Sequence, residues 1–158
     1  VCLEVLHTPG HAPGHIVLLD ERSLSLIAGD MVAGIGTIVI DPEDDGDMGE
    51  YLESLRRIRG LEPSCLLPSH GPAIGGARAK IDEYINHRLM RESMILSAVG
   101  EHPASLKSIV NQAYQETPSF LKEGPYGGLA GRSALAHLNK LIKDGSVQGS
   151  RSAGFIRT

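Results

Sequence analysis

Three segments of the sequence carry side chains that can bind a metal ion, and the first is the richest. The segment His7-Thr8-Pro9-Gly10-His11-Ala12-Pro13-Gly14-His15 places three imidazoles close together. Its prolines and glycines exclude a helix or a regular strand, so we expect a loop of defined shape. Neutral imidazole is a good donor to zinc or iron. Histidines in turns also serve as surface or core residues, so this segment alone leaves both interpretations open.

The other two segments each place one candidate ligand after a short apolar run. Asp30 follows the run at residues 24–28, and His70 follows the run at residues 65–67. Taken singly, Asp30 could cap a turn and His70 could lie on the surface. Together with His11 they all lie in or beside loops at strand ends, where layered α/β proteins build sites. Two imidazoles and a carboxylate suit zinc, manganese or iron(II), and a carboxylate between two metals can bridge them.

The predicted elements around these residues alternate between strands and helices. Apolar runs at residues 15–19 and 24–28 flank a polar turn, which indicates a hairpin with strands too apolar for a face open to water. A further β-branched run lies at residues 34–40. The other predicted elements are a helix capped by Asp47 that ends at Gly60, a short strand at residues 65–67 and a long helix at residues 77–99.

The pattern changes near residue 100. The predicted elements beyond it are a helix from Ser105 to about Tyr114, a Pro/Gly-rich connector, a helix from about Arg132 to Lys143 and a small hairpin within residues 147–156. Helix, helix and ribbon are the ending of a winged helix. Residues 1–100 carry 8 Lys or Arg against 15 Asp or Glu, whereas residues 101–158 carry 7 against 4. We therefore predict a domain boundary near residue 100 and a winged-helix-like domain at residues 101–158.

Composition narrows the class of protein. The 158 residues are 41% hydrophobic and 22% charged, as in soluble globular proteins. No apolar run approaches the roughly 20 residues that span a bilayer, so no membrane partner is expected. Two cysteines are too few for a disulfide framework, and a reducing, cytoplasmic setting is expected. Because the sequence opens at Val1 with an apolar strand pattern, we expect further chain before it.

The motifs, in their order, resemble the metallo-β-lactamase superfamily. The matching motifs are Thr8-Pro9-Gly10-His11 with Gly14-His15, then Gly29-Asp30, then Pro68-Ser69-His70-Gly71. The branch of β-lactamase-like protein 2, whose members end in a winged-helix-like domain, is more similar still. Its resemblance rests on Ile40-Asp41-Pro42, Gly46-Asp47-Met48, Tyr51-Leu52, the stretch from Arg132 to Leu138 and Asp144-Gly145.

The resemblance implies a fold and a metal site. The fold is α/β, with residues 1–100 forming the C-terminal half of an αββα sandwich, followed by the winged-helix-like domain. His11 is implied to ligate one metal, Asp30 to bridge two, and His70 to ligate the other. Zinc is the expected metal, two ions in the full-length protein, with manganese or iron as alternatives. His7 and His15 are candidates for supporting the metal ligands from beside the site. Each could equally be a structural residue of the turn.

The family's first metal motif, His-x-His-x-Asp-His, is absent from this sequence. That motif would supply two ligands to each metal, including an Asp often assigned to handle protons, so we assign no catalytic residue within this chain. Three ligands shared by two metals leave each ion under-coordinated. We therefore expect a truncated piece of a longer protein, which binds metal weakly or not at all and has no hydrolytic activity by itself.

For the full-length protein, the resemblance implies a dinuclear metal-dependent hydrolase. A metal-bound hydroxide would attack a thioester or a lactone- or lactam-like carbonyl. The alternatives are a metal-dependent endoribonuclease or phosphodiesterase, a nucleic-acid-binding winged-helix module, and a structural fragment. A small acyl substrate is favoured over nucleic acid by analogy with neighbouring branches of the superfamily, which hydrolyse thioesters. The tail itself lacks the dense positive charge and interleaved aromatic residues typical of nucleic-acid binding. The tail could also pack on the hydrolase domain or form a homodimer contact.

Two neighbouring residues on the long helix, His87 and Arg88, are further candidates. They could reach a phosphate or an acidic group of a substrate. A solvated or salt-bridged helix face is the more common arrangement for such a pair.

Overall fold

The computed structural model describes residues 2–123 and 128–158, which divide into two compact units. The N-terminal unit comprises the chain up to residue 38 and residues 45–88. The C-terminal unit comprises residues 39–44 and 89–158. The predicted domain boundary near residue 100 concerns where a separate domain begins, and it stays a prediction.

The N-terminal unit is built on one mixed sheet. Its elements are β1 (Leu3–His7), β2 (Ile16–Asp20), β3 (Ser25–Gly29), α1 (Met48–Gly60), β4 (Cys65–Pro68) and the first part of α2 (Ala77–Ala98). The strand order is β1-β2-β3-β4, with the β3–β4 pair parallel and the others antiparallel. The predicted hairpin is confirmed, with Leu18 opposite Ile27. The predicted helix cap is also confirmed, since Asp47 accepts a hydrogen bond of 3.0 Å from the Glu50 amide.

The two faces of this sheet differ in exposure. Side chains on one face are buried, namely Leu6, Val17, Leu19, Leu26, Ala28 and Leu66. On the other face, Val5, Leu18, Ile27 and Leu67 form one row across all four strands. Val5 is 62% exposed, and Ile27 and Leu67 are exposed as well. The prediction that these strands have no face open to water is therefore wrong for the described residues, because apolar side chains occupy both faces and only one is covered.

Residues 34–40, the β-branched run, form a loop instead of a strand. Gly36 has φ of +81°, a left-handed conformation that interrupts extended backbone. The predicted long helix is confirmed as α2. In the described part of the chain, residues 2–123 and 128–158, no helix combines the length and apolarity needed to cross a membrane.

The C-terminal unit contains helices followed by a two-stranded ribbon. Its elements are α3 (Leu106–Ala113), α4 (Gly128–Lys143), β5 (Val147–Ser150), β6 (Gly154–Arg157), short 3-10 turns at Pro42–Asp44 and Ser119–Leu121, and the second part of α2. The ribbon is antiparallel, and Phe155 also exchanges two 2.9 Å backbone hydrogen bonds with Ala104. The predicted helices and hairpin are confirmed, although α4 begins before Arg132. Residues 124–127 of the predicted connector lie outside the described residues.

The core of the C-terminal unit is drawn from all of its helices and from the ribbon. Its largest fully buried side chains are aliphatic or aromatic, and they include Ile95, Ile109, Leu138 and Phe155. Gly131, which reads as part of a connector in the sequence, is buried within α4. The helix therefore extends through a glycine that would otherwise mark its start.

A cluster of charged side chains joins α2 to α4 within the C-terminal unit. The Glu92 carboxylate lies 3.4 Å from Nδ1 of the buried His137 and accepts a 3.0 Å hydrogen bond from Lys140 Nζ. Lys140 also donates to Asp144 at 2.7 Å. Burial by itself would raise the pKa of Glu92, but hydrogen bonds from His137 and Lys140 outweigh it and lower that pKa.

This cluster predicts an acid-dependent loss of stability. Because the pKa of Glu92 is lower in the folded protein than in the unfolded chain, its carboxylate stabilises the fold fully above pH 4.5 and progressively less as the pH falls below it. Urea titrations should show that Glu92→Gln is less stable than wild type at neutral pH by on the order of 1–3 kcal/mol. The difference should shrink in acid. The matched variant Glu53→Gln, on the exposed face of α1, should track wild type, and equal pH slopes for both variants would contradict the assignment.

Candidate functional site

The loop between β1 and β2 carries His11 and is closed by its own backbone. The Thr8 amide donates to the His15 carbonyl at 2.9 Å across the base of the loop. Ser54 on α1 donates to the Pro9 carbonyl at 2.7 Å, which ties the loop to that helix. The predicted loop of defined shape is therefore confirmed, and it presents His11 beside the end of β3.

Gly10 brings this loop into direct contact with the backbone at the start of α1. Its φ is +124°, and a Cβ at this position would lie 2.1 Å from the Tyr51 amide nitrogen. The Gly10 carbonyl also accepts a 2.8 Å hydrogen bond from the Asp47 amide. A residue with a side chain cannot approach the helix so closely, so the position next to His11 requires glycine.

Asp30 and His70 are placed together by the parallel pairing of β3 with β4. The two strands end at the same edge of the sheet, and each candidate ligand follows its strand. The Ser69 amide donates to the Gly29 carbonyl at 3.1 Å, and the Gly34 amide donates to the His70 carbonyl at 2.7 Å. These bonds link the loop after β3 to the loop after β4.

The structure brings the three predicted ligands to one place. His11 Nε2 lies 3.7 Å from Asp30 Oδ2, and His70 Nε2 lies 3.4 Å from Asp30 Oδ1. The carboxylate thus stands between two imidazole nitrogens, with one oxygen toward each. The side chain of His70 is 67% exposed, whereas those of His11 and Asp30 are about a third exposed. This is the order that a bridging carboxylate with one histidine on either side requires.

The surroundings of Asp30 Oδ1 indicate whether a metal ion fits here. It is buried and makes no hydrogen bond, since His70 Nε2 is near enough but not aligned to donate. A buried acceptor without a partner is costly, and a bound cation would satisfy it. Even so, within residues 2–123 and 128–158 no group of three or more His, Cys, Asp or Glu side chains forms a metal-binding cluster. The donor types fit part of a metal centre, and the assignment of the three ligands stays a prediction.

The two other histidines of the loop make hydrogen bonds of their own. His15 Nε2 accepts a 3.0 Å hydrogen bond from the Asp30 amide, and its Nδ1 lies 2.9 Å from Thr8 Oγ1. His7 Nε2 donates to the Pro13 carbonyl at 2.7 Å. His7 therefore bonds within the loop, whereas His15 contacts the backbone of a candidate ligand.

The protonation of His15 follows from its surroundings. Burial is the largest influence and lowers its pKa, and the nearby His11 ring acts in the same direction. The Asp30 carboxylate opposes this shift but does not reverse it. A neutral His15 agrees with its role as an acceptor from a backbone amide.

Comparison with known proteins places the chain in a family. The family model described as the metallo-beta-lactamase superfamily matches residues 1–70, the segment that contains all three candidate ligands. The beta-lactamase-like protein 2 homolog of Drosophila melanogaster is 36% identical over 154 residues, which cover 96% of this chain and 49% of that protein. The chain belongs to the metallo-β-lactamase superfamily.

Further relatives match a similar share of this chain and of their own length. The beta-lactamase-like protein 2 homolog of Caenorhabditis elegans is 33% identical over 147 residues, 92% of this chain and 46% of that protein. The structure of a beta-lactamase domain protein from Burkholderia ambifaria matches at a TM-score of 0.81 and 30% identity, over 99% of this chain and 48% of that one. The chain thus spans about half the length of the relatives it matches. The predicted α/β fold is confirmed.

Sequence reasoning missed the side chains that hold the loop after Asp30 in this superfamily member. Tyr51 on α1 donates to the Met31 carbonyl at 2.7 Å, and Tyr84 on α2 accepts from the Ala33 amide at 2.9 Å. Burial raises the pKa of Tyr51 far above its usual range, so its hydroxyl stays protonated. Both tyrosines fall among apolar residues at helical spacing, and that pattern predicts only core packing.

Arg88 completes the same set of contacts. It is 4% exposed, its guanidinium lies over the Tyr51 ring at 5.4 Å, and it donates to the Ile38 carbonyl. Arg88 is buried, so the alternative of a solvated helix face is wrong for this residue, whereas its neighbour His87 is exposed. That the pair could reach a phosphate or an acidic group of a substrate stays a prediction. The sequence indicates this contact only by the spacing of Arg88, which stands four residues after Tyr84 and so lies on the same face of the helix.

Proposed function

We propose that the full-length protein containing this chain is a dinuclear metal-dependent hydrolase, with His11, Asp30 and His70 among its metal ligands. The observation that carries this proposal is the Asp30 carboxylate, whose two oxygens face the imidazole nitrogens of His11 and His70. Two divalent ions, zinc with manganese or iron as alternatives, would supply an activated water and stabilise the charge that develops on the substrate oxygen.

The chain's own residues would hold the ligands in place before any ion binds. The backbone around His11 is fixed by Gly10 and α1, and the Gly34 amide fixes the His70 carbonyl. Asp30 is the ligand that both metals would share. Rigid ligands cost less entropy to order when an ion binds, and they keep the distance between the ions constant.

We further propose that this chain by itself binds metal weakly or not at all and has no hydrolytic activity. Tetrahedral zinc in a catalytic centre takes three protein ligands, so two such ions need more ligands than the three available here. The remaining ligands and the general base would come from the part of the full-length protein that corresponds to the unmatched half of the relatives.

The substrate we favour is a small acyl compound, a thioester or a lactone- or lactam-like molecule. The alternative is a phosphodiester of single-stranded RNA, with the C-terminal unit as a winged-helix-like domain that binds the nucleic acid. The order of helices and ribbon, with Ala104 paired to Phe155, supports that domain type. The Lys and Arg side chains of this unit argue against nucleic-acid binding, because several of them form ion pairs with carboxylates of the same unit. The pairs are Arg132 with Asp41, Arg151 with Glu43, and Lys140 with Glu92 and Asp144.

For the setting of the full-length protein we propose the cytoplasm and leave a homodimer as a further proposal. The support for the cytoplasm is chemical: both cysteines, Cys2 and Cys65, are free thiols, and a reducing compartment preserves them. The homodimer would be tested by the mass of the full-length protein in solution across a range of concentrations.

The substrate class is tested with the zinc-loaded full-length protein and its Asp30→Ala variant. Turnover of an acyl thioester is compared with cleavage of single-stranded RNA at the same enzyme concentration. We expect thioester turnover that the variant abolishes and no RNA cleavage above background. RNA cleavage that depends on Asp30 would favour the alternative, and equal activity of variant and wild type on either substrate would contradict the metal-dependent proposal.

A further inference from the structure

We propose that His15 is a positioning residue, which holds the backbone of Asp30 so that its carboxylate points between the two metal positions. This inference rests on the proposed function. It concerns a histidine that accepts a hydrogen bond from the Asp30 amide, and it assigns that residue a role through the main chain of a ligand.

The hydrogen bonds of His15 define its chemical state. A backbone amide can only donate, so His15 Nε2, 3.0 Å from the Asp30 nitrogen, must be the unprotonated acceptor. The ring proton of a neutral imidazole is then on Nδ1, which donates to Thr8 Oγ1 at 2.9 Å. Thr8 is fully buried, so this acceptor is held in place. The Asp30 amide thus fixes the tautomer, and Thr8 accepts the ring proton that this tautomer carries.

Packing fixes the ring against the same backbone. Gly29 has φ of +52°, and a Cβ on it would lie 2.6 Å from His15 Nε2. The imidazole therefore occupies the space that a side chain would need at the residue just before Asp30. The His15 ring also meets the His11 ring edge to face, with centroids 6.2 Å apart. One side chain thus contacts the backbone of one candidate ligand and the ring of another.

The orientation of the Asp30 carboxylate depends on these contacts. Its backbone leaves β3 in a left-handed turn at Gly29, and the His15 bond is the one that restrains the Asp30 amide directly. If that bond is lost, the Asp30 backbone can rotate and move the carboxylate out of line with His11 and His70. Losses of this kind of support typically weaken metal binding about 10- to 100-fold.

The test uses the full-length protein and three variants. Thr8→Val keeps the size of a buried side chain but removes the acceptor of the His15 proton, His15→Leu removes the bond to Asp30, and His15→Gln retains an acceptor oxygen near the position of Nε2. Hydrogen exchange at the Asp30 amide is measured in the metal-free protein, and zinc affinity is measured by competition with a chelator.

We expect exchange at Asp30 to become about five- to tenfold faster in Thr8→Val and His15→Leu, while the amides of β2 stay as in wild type. Zinc affinity should fall about 10- to 100-fold in Thr8→Val and in His15→Leu. Compared with His15→Leu, His15→Gln should lie close to wild type in both the exchange rate at Asp30 and the zinc affinity. Unchanged exchange at Asp30, or a uniform increase across the sheet, would overturn the proposal. So would faster exchange without weaker zinc binding. A wild-type protein that binds no zinc would refute the proposed function, and the exchange data would still decide whether His15 holds Asp30.

Discussion

Asp30→Asn in the full-length protein should abolish binding of the second metal and reduce turnover at least about a thousandfold. Asparagine has nearly the same size as aspartate but carries no charge, and it has one acceptor oxygen in place of two. The wild-type carboxylate has one oxygen toward His11 and the other toward His70, so the amide cannot serve both positions. Several kcal/mol of charge stabilisation depend on the two ions, which corresponds to that loss of rate.

Metal content and activity are measured on the same preparation. Elemental analysis after dialysis should give two metal ions per wild-type chain if the centre is dinuclear, and at most one in the variant. The matched control is Asp45→Asn, because Asp45 is exposed and its left-handed backbone conformation suits asparagine. The control should keep full metal content. An Asp30→Asn protein with normal metal content and normal turnover would exclude Asp30 as a shared ligand.

The second large effect is expected for Gly10→Ala, on stability. The new Cβ would lie 2.1 Å from the Tyr51 amide nitrogen and 2.3 Å from its Cα, both backbone atoms of α1 that cannot move aside singly. The backbone at φ of +124° adds strain for any residue with a side chain. We expect a loss of about 3 kcal/mol or more in the free energy of unfolding, seen as a drop of roughly 6–12 °C in melting temperature.

Gly14→Ala is the control for this variant. Gly14 lies in the same loop, but a Cβ there meets no atom within 4 Å and its backbone is not left-handed. Its stability should stay within about 0.5 kcal/mol of wild type. Because Gly10 precedes His11, the Gly10→Ala protein should also bind zinc more weakly. Equal melting temperatures for the two alanine variants would show that the loop does not press against α1.

The sequence predicts the local parts of this structure well. The cap at Asp47 and the hairpin around residues 20–23 depend on neighbours within a few residues, and each is found where expected. The convergence of Asp30 and His70 was also predictable, since both follow short apolar strands and parallel strands end at one edge.

Other features depend on contacts that no local pattern reveals. Tyr51, Tyr84 and Arg88 have the spacing of core residues, and only the folded chain shows that their polar atoms bind the loop after Asp30. The open face of the sheet was missed for a similar reason. Apolar residues on both faces of a strand indicate that both faces can be buried. Whether a face is buried depends on which other segment packs against it.

The strand order has a consequence for how the protein folds. Strands β1, β2 and β3 follow one another along the chain, but β4 joins β3 only after α1 has intervened. Closing that longer loop costs chain entropy before its bonds form, so local pairing precedes it. During synthesis, the first three strands can pair before Cys65 has left the ribosome. We therefore expect His11 and Asp30 to be set in place early and His70 to join them late, so that the proposed metal site is a product of folding and not its nucleus.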